Sequence, residues 1–295
     1  MSAIRARMSA VSVTSPYAGR GERFFRGNLH THTTHSDGRY RVEEVVARYV
    51  AAGHDFLAIS DHDVWTPPFT DERLVSLPAV EITAGGPHVL AVGVSRAYDT
   101  GETRGEITAR VVADGGLCVL AHPCWEAHYD HWPQAAMLAT GPYHGIEIFN
   151  TSCEPDPGSA YALDRWDRLL SAGRRVWGFA NDDFHHDIDG PLAFNAVMAE
   201  AFAADDLLAA MKAGSLYASS GLELAAIEVT REAYRIEADE SVHVRFITRG
   251  GVVAQRVDGE RATYRFKGDE GYVRAEAWGS GYRAAFTQPV FVERP

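Results

Sequence analysis

The stretch Asn28-Leu29-His30-Thr31-His32-Thr33-Thr34-His35-Ser36-Asp37-Gly38 constrains this chain more than any other. If Leu29 to Thr31 close a strand, the two-residue alternation puts His30 and His32 on one face, near enough to share a cation. Ser36-Asp37-Gly38 then reads as a turn that swings the Asp37 carboxylate back toward the same place. The plain alternative is a solvated loop with incidental histidines. Of the 13 histidines in the chain, only His243 lies beyond His186, so whatever the histidines do belongs to the first two thirds.

The totals set bounds on the rest. A chain of 295 residues holds one large α/β domain, or one such domain and a small one. Lys+Arg 28 against Asp+Glu 40 gives a net charge of −12, which argues against a nucleic-acid polymer or an anionic membrane as the main partner. An anionic substrate would need locally placed positive charge, such as metal ions. Cys118, Cys124 and Cys153 are odd in number and lack CxxC spacing, so no disulfide framework is expected and a reducing cytoplasm fits. Residues 1–20 carry arginines and small residues without a signal-peptide core, and are expected to be a disordered leader. No stretch approaches the ~18 consecutive apolar residues of a membrane span.

From 27 to 215 short apolar runs alternate with amphipathic ones, as in repeated βα units. Strands are predicted at 27–31, 56–60, 79–83, 117–121, 145–149, 176–180 and 193–198, with an extra strand at 89–94 returning from the turn Ala84-Gly85-Gly86-Pro87. Helices are predicted at 42–52, 71–76, 106–114, 133–139, 159–172 and 204–213. His30 with His32, Asp61-His62-Asp63, Glu81, His122, Glu147 with Asn150, and Asp182-Asp183 with His185 all fall at or just past the C-terminal ends of predicted strands. In a parallel barrel those ends share one face, where catalytic groups collect. An open doubly wound sheet gathers ligands only at its switch point, so contributions from nearly every strand favour a barrel. After about Gly221 the pattern becomes short β-rich pieces with glycine and acidic turns and no long helix. Residues 222–295 are therefore expected to form a small all-β, sandwich-like domain serving as buttress or interface.

His30-Thr-His32 with Ser36-Asp37-Gly38, Ile59-Ser-Asp61-His62-Asp63, Glu81-Ile-Thr, Ala121-His122-Pro123 and Asn181-Asp182-Asp183-Phe184-His185, in that order, resemble the motifs of the PHP (polymerase and histidinol phosphatase) metal-dependent hydrolases. The resemblance covers about residues 24 to 215. The phrase Gly53-His-Asp-Phe-Leu-Ala-Ile-Ser-Asp-His and the C-terminal β segment are most similar to a bacterial branch that includes carbaryl-hydrolase-like proteins. The resemblance implies a distorted (β/α)7 TIM-like barrel over 21–221, carrying two or three divalent ions, Zn, Fe or Mn. It implies a first ion on His30, His32, Glu81 and Asp183, and a second sharing Glu81 and adding His88 and His122. A third would take Asp37, His62 and His185. Glu81 and His88 are only seven residues apart, a shorter hairpin than is usual in the family.

This donor chemistry is coherent: imidazole nitrogen with carboxylate oxygen suits Zn²⁺, Fe²⁺ or Mn²⁺ without thiolate, and one carboxylate such as Glu81 can bridge two ions. Glu81 and Asp183 are accordingly placed at the reaction centre. Metal-bound hydroxide attacking a phosphate mono- or diester of a small molecule or nucleotide is the expected mechanism. The other reading is attack on a carbamate, amide or carboxylic ester. Arginines in the pocket would favour the first and tryptophans at its wall the second. A non-catalytic module is the third reading, and the complete ligand set argues against it. His128, in the aromatic segment 125–132, is a candidate to protonate a leaving group, against the reading of that segment as a packed helix start. Arg39 is a candidate phosphate binder, against a solvated loop arginine.

Overall fold

The computed structural model describes residues 11–18 and 23–294 of the chain. The elements in order are β1 (Ser12–Thr14), β2 (Phe24–Asn28), α1 (Val42–Ala51), β3 (Phe56–Ile59), β4 (Val75–Ile82), β5 (Val89–Val92), α2 (Arg104–Ala113), β6 (Leu117–Leu120), α3 (Gln134–Ala139), β7 (Gly145–Asn150), α4 (Leu163–Ser171), β8 (Trp177–Asn181), β9 (Phe194–Met198) and α5 (Ala204–Ala213). There follow β10 (Leu216–Ser219), β11 (Leu224–Val229), β12 (Ala233–Thr248), β13 (Val252–Arg265), β14 (Gly271–Trp278), β15 (Ala284–Thr287) and β16 (Val290–Glu293).

The fold is mixed α/β, built on one curled sheet whose strands run in the order β1-β16-β14-β15-β10-β9-β2-β3-β4-β5-β6-β7-β8. Parallel pairing links β2 to β3, β3 to β4, β6 to β7 and β7 to β8. β5 and β9 run against their neighbours. The expected (β/α)7 alternation is therefore interrupted, and five α-helices are present among the described residues. Strands β3, β5, β6 and β7 are buried at every position, as sheets covered on both faces require.

The edges β8 and β2/β9 meet without a continuous backbone ladder. There Asn195 does the work of a strand, accepting from Ala180 N–H at 3.1 Å and donating to Ala180 C=O at 2.9 Å. Asn181 Oδ1 accepts from Leu29 N–H at 3.0 Å. Beyond the strand ends one backbone bridge, Thr31 with Phe184, joins the two sides, with His32 N–H donating to Phe184 C=O at 2.9 Å. A side-chain amide offers the same donor and acceptor as a peptide unit, which is why asparagines can seal the seam.

Several expectations change. Residues 71–76 do not form a helix: Val75 to Pro78 pair with β3, and a proline inside β4 is incompatible with a continuing helix. Within the expected leader, Ser12–Thr14 pairs with β16, and the buried Tyr17 hydroxyl donates to Leu216 C=O and accepts from Gln288 N–H. Residues 1–10, 19 and 20 of that stretch lie outside the described residues. The C-terminal pieces merge into long ribbons, with β12 pairing to β11, β13 and β14. They join the rest of the sheet through β15 and β10. The Arg274 guanidinium of β14 is fully buried against Asp167 of α4, at 2.6 and 2.9 Å, which ties the β-rich region to the α/β region.

Candidate metal centre

The sheet delivers its polar residues to one end. β2, β3, β6 and β8 are each followed there by His30 and His32, His62, His122, and Asp183 with His185. β5 is antiparallel, so its N-terminal flank, His88, reaches the same end. Glu81 is the next-to-last residue of β4. His122 (φ 28°) and Asp183 (φ 55°) adopt left-handed backbone, a conformation non-glycine residues rarely take and one often found at functional positions.

At the centre, four side-chain atoms converge. His30 Nε2 is 3.2 Å from Glu81 Oε2 and 3.1 Å from Asp183 Oδ1, and His32 Nε2 is 3.4 and 3.0 Å from the same two atoms. All four are buried and none has a hydrogen-bond partner. Orphaned polar atoms of this kind are costly, and four of them aimed at one another need a shared cation. Donors at about 2.0–2.1 Å from a tetrahedral ion lie roughly 3.3 Å apart, which matches these separations. The donor set thus fits a divalent ion.

The other expected ligands surround this group. Glu81 Oε1 lies 2.9 Å from His88 Nδ1 and 3.2 Å from His122 Nε2, so its two oxygens face two different histidine sets. Asp37 Oδ2 is 3.4 Å from His62 Nε2, and Asp37 Oδ1 is 3.4 Å from His185 Nε2. His62 Nδ1 also approaches Glu81 Oε2, at 2.8 Å, linking the third set to the first. The nine residues named from the sequence therefore form one cluster.

The charge balance keeps the carboxylates ionised. Burial pushes Glu81 and Asp183 upward, but the surrounding histidines outweigh it and hold both well below the usual carboxylate range. Burial pulls His30 down, yet the charges of Asp183, Glu81 and Glu147 raise it well above the ordinary imidazole value. In His32 burial prevails, and its pKa is lowered.

Supporting residues fix the donors. Glu147 Oε1 meets His30 Nδ1 at 2.8 Å and accepts from Asn181 Nδ2, while Oε2 accepts from His122 N–H at 2.7 Å and from Asn150 Nδ2 at 2.9 Å. Asp61 accepts from Thr33, Ser36 and Thr66 and secures the loop after β2. Asp63 accepts from Thr83 N–H, Thr83 Oγ1 and Ala84 N–H, pinning the start of the short hairpin. Arg104 of α2 closes that hairpin from behind by donating to the carbonyls of Thr83, Ala84, Gly86 and Pro87. This is how a turn of so few residues returns His88 to Glu81. Asp182 points the other way, accepting from Leu192 N–H, Ala193 N–H, Asn28, Tyr49 and Thr151.

Two expected residues are not brought to the site. His128 is exposed, because Glu126, His128 and Tyr129 all take positive φ (73°, 70° and 59°) and turn it outward. The same turn brings in His131, whose Nε2 accepts from His88 N–H at 2.9 Å and whose Nδ1 meets Glu126 Oε1 at 3.1 Å. Its histidine type was the available signal, but no spacing rule selects it over His128. Arg39 is exposed, and its guanidinium leans on the Tyr40 ring at 5.8 Å. Trp132 holds His88 by donating to its carbonyl at 2.8 Å, and Trp65 packs by donating to Val94 C=O. The cluster opens into a cavity of about 360 Å³ whose wall includes Trp125, Ser152, Cys153 and Asp156, and no lysine or arginine lines it among the described residues.

No family model matches the chain, and no curated protein does. Among solved structures, a two-domain protein of Bacteroides vulgatus containing a predicted PHP-like metal-dependent phosphoesterase is similar at 16% identity and a TM-score of 0.55, covering 92% of this chain and 94% of that one. PsfC of Pseudomonas syringae is similar at 12% identity and a TM-score of 0.45, over 63% of this chain and 88% of that one. An amidohydrolase of Chromobacterium violaceum follows at 15% identity and 0.38, over 54% and 87%. The Bacteroides likeness shows a shared fold along nearly the whole of both chains.

Proposed function

We propose that this chain is a metal-dependent hydrolase of the PHP type, with the β-rich residues 222–295 acting as a buttress to the site-bearing residues 21–221. The observation that carries the reading is the convergence of four buried, unpartnered donor atoms from His30, His32, Glu81 and Asp183. His88, His122, His62, His185 and Asp37 would hold one or two further ions beside them. Bound there, divalent ions would supply Lewis acidity and a water molecule ionised near neutral pH. The protein's own share is to hold the His30 imidazole through Glu147 and the His88 backbone through Trp132, and to keep Glu81 and Asp183 ionised.

The reaction proposed first is hydrolysis of a phosphate mono- or diester of a small molecule or nucleotide; the Bacteroides protein that shares the fold is described as containing a predicted metal-dependent phosphoesterase. Because no lysine or arginine among the described residues lines the cavity, the ions would be the main positive charge facing the phosphoryl oxygens. That same lining, with the Trp125 ring at the wall, favours a second reading, hydrolysis of a carbamate, amide or carboxylic ester. Metal analysis with a screen of p-nitrophenyl phosphate, bis-p-nitrophenyl phosphate, aryl carbamates and aryl esters tests both. Activity lost on chelation and in Asp183→Ala supports the proposal, and full activity of ion-free protein overturns it.

A further inference from the structure

Resting on the hydrolase reading, we infer that Trp125 and Asp156 form a subsite for a positively charged group, so that the substrate is zwitterionic, with an ammonium near the bond that is cut. Both residues line the cavity, and neither belongs to the donor cluster. The Trp125 indole N–H donates to Asp156 Oδ2 at 3.0 Å, which sets the carboxylate at the edge of the ring. Indole face and carboxylate together form a recurrent receptor for an alkylammonium group, combining ring quadrupole with full negative charge.

The subsite is built into the backbone. Trp125 and Gly158 form a bridge between the loops after β6 and β7, and Ser159 N–H donates to Cys124 C=O at 2.9 Å. Gly158 has φ +106°, and a Cβ there would lie 2.4 Å from Cys124 O, so only glycine allows the approach. The Trp125 ring also packs on His122 and His88, with centroids 5.0 and 5.8 Å away. A group held over Trp125 is therefore within a few bonds of one reacting beside those histidines. With no lysine or arginine in the lining among the described residues, a second anionic group on the substrate would meet Asp156 unscreened, whereas an ammonium is attracted. The anionic end would face the ions and the cationic end the rim.

Binding by calorimetry separates this inference from the hydrolase reading. Zinc-loaded protein is titrated with phosphocholine and with ethyl phosphate, which differ in the ammonium, in parallel with an Asp156→Asn variant. The expected result is about tenfold tighter binding of phosphocholine by the wild type, falling toward equality in Asp156→Asn. Equal affinities in the wild type, or a preference kept in Asp156→Asn, overturn the subsite. Turnover of p-nitrophenyl phosphorylcholine is measured separately. If the binding preference holds and neither this diester nor the carbamates and esters of the screen above are hydrolysed, the hydrolase reading fails and the subsite stands. If hydrolysis occurs without any binding preference, the reverse holds.

Discussion

Glu147 and His30, both buried, face each other with Oε1 2.8 Å from Nδ1, and this pairing leaves His30 Nε2 as the nitrogen free for an ion. A carboxylate there accepts the Nδ1 proton and so fixes the tautomer. Glu147→Gln places an amide that can turn its NH2 toward Nδ1. The expected outcome is about 10–100-fold weaker zinc binding with an unchanged circular dichroism spectrum, measured by competition with a chelator.

Arg104 should act on His88 from a distance. Its guanidinium gathers the carbonyls of the 83–87 turn, and Arg104→Met removes those donors while keeping much of the stem. Ion stoichiometry is expected to fall by the ion that His88 serves, while the ion on His30, His32 and Asp183 is retained. Metal analysis of dialysed protein reads this directly.

Neighbouring aspartates should separate stability from ion binding. Asp182 takes five donors in the core, so Asp182→Asn turns an amide toward groups that are themselves donors, at a cost of about 2–3 kcal/mol in urea unfolding of ion-free protein. Asp183→Asn should instead lower ion content at nearly unchanged unfolding midpoint. Equal effects of the two substitutions on both measurements would contradict this division.

His54 sets an acid limit. It is buried against the Tyr49 ring, neither ring nitrogen has a hydrogen-bond partner, and burial with the nearby Arg26 charge lowers its pKa to about 3. The unfolded chain takes up the proton near pH 6.5 and the folded chain does not, so stability is full above about 6.5 and falls as pH drops toward 3. The slope is up to about 1.4 kcal/mol per pH unit. His54→Leu should flatten that part of the profile relative to wild type, as followed by urea midpoints at pH 8, 6 and 5.

The candidate metal set was legible because ion chemistry restricts residue types and strand ends restrict positions. His30, His62, His122 and Asp183 each follow an apolar run of strand length. His131 was not legible, since the choice between it and His128 is made by left-handed backbone at Glu126 and Tyr129 that no local pattern announces. Arg104 was hidden for a related reason: its partners are carbonyls, which carry no residue identity. In the C-terminal region Gly259 and the charged residues around it look like a break, yet β13 runs on because β12 pairs with it on either side, Glu237 with Arg261 and Val242 with Gly259, and takes up the irregularity in its own residues 238–241. Strands β10 and β15 are too short to stand out from their surroundings, and pairing with each other makes them strands.

The seam described above puts His30 and His32 on one margin of the sheet and Asp183 on the other, with the Thr31–Phe184 bridge between them. An ion held by all three would be a fastener across the sheet as well as a reagent. Removing it would loosen the join that keeps the donors assembled, so bound-ion content and amide-exchange protection at Leu29, His32 and Phe184 should rise and fall together.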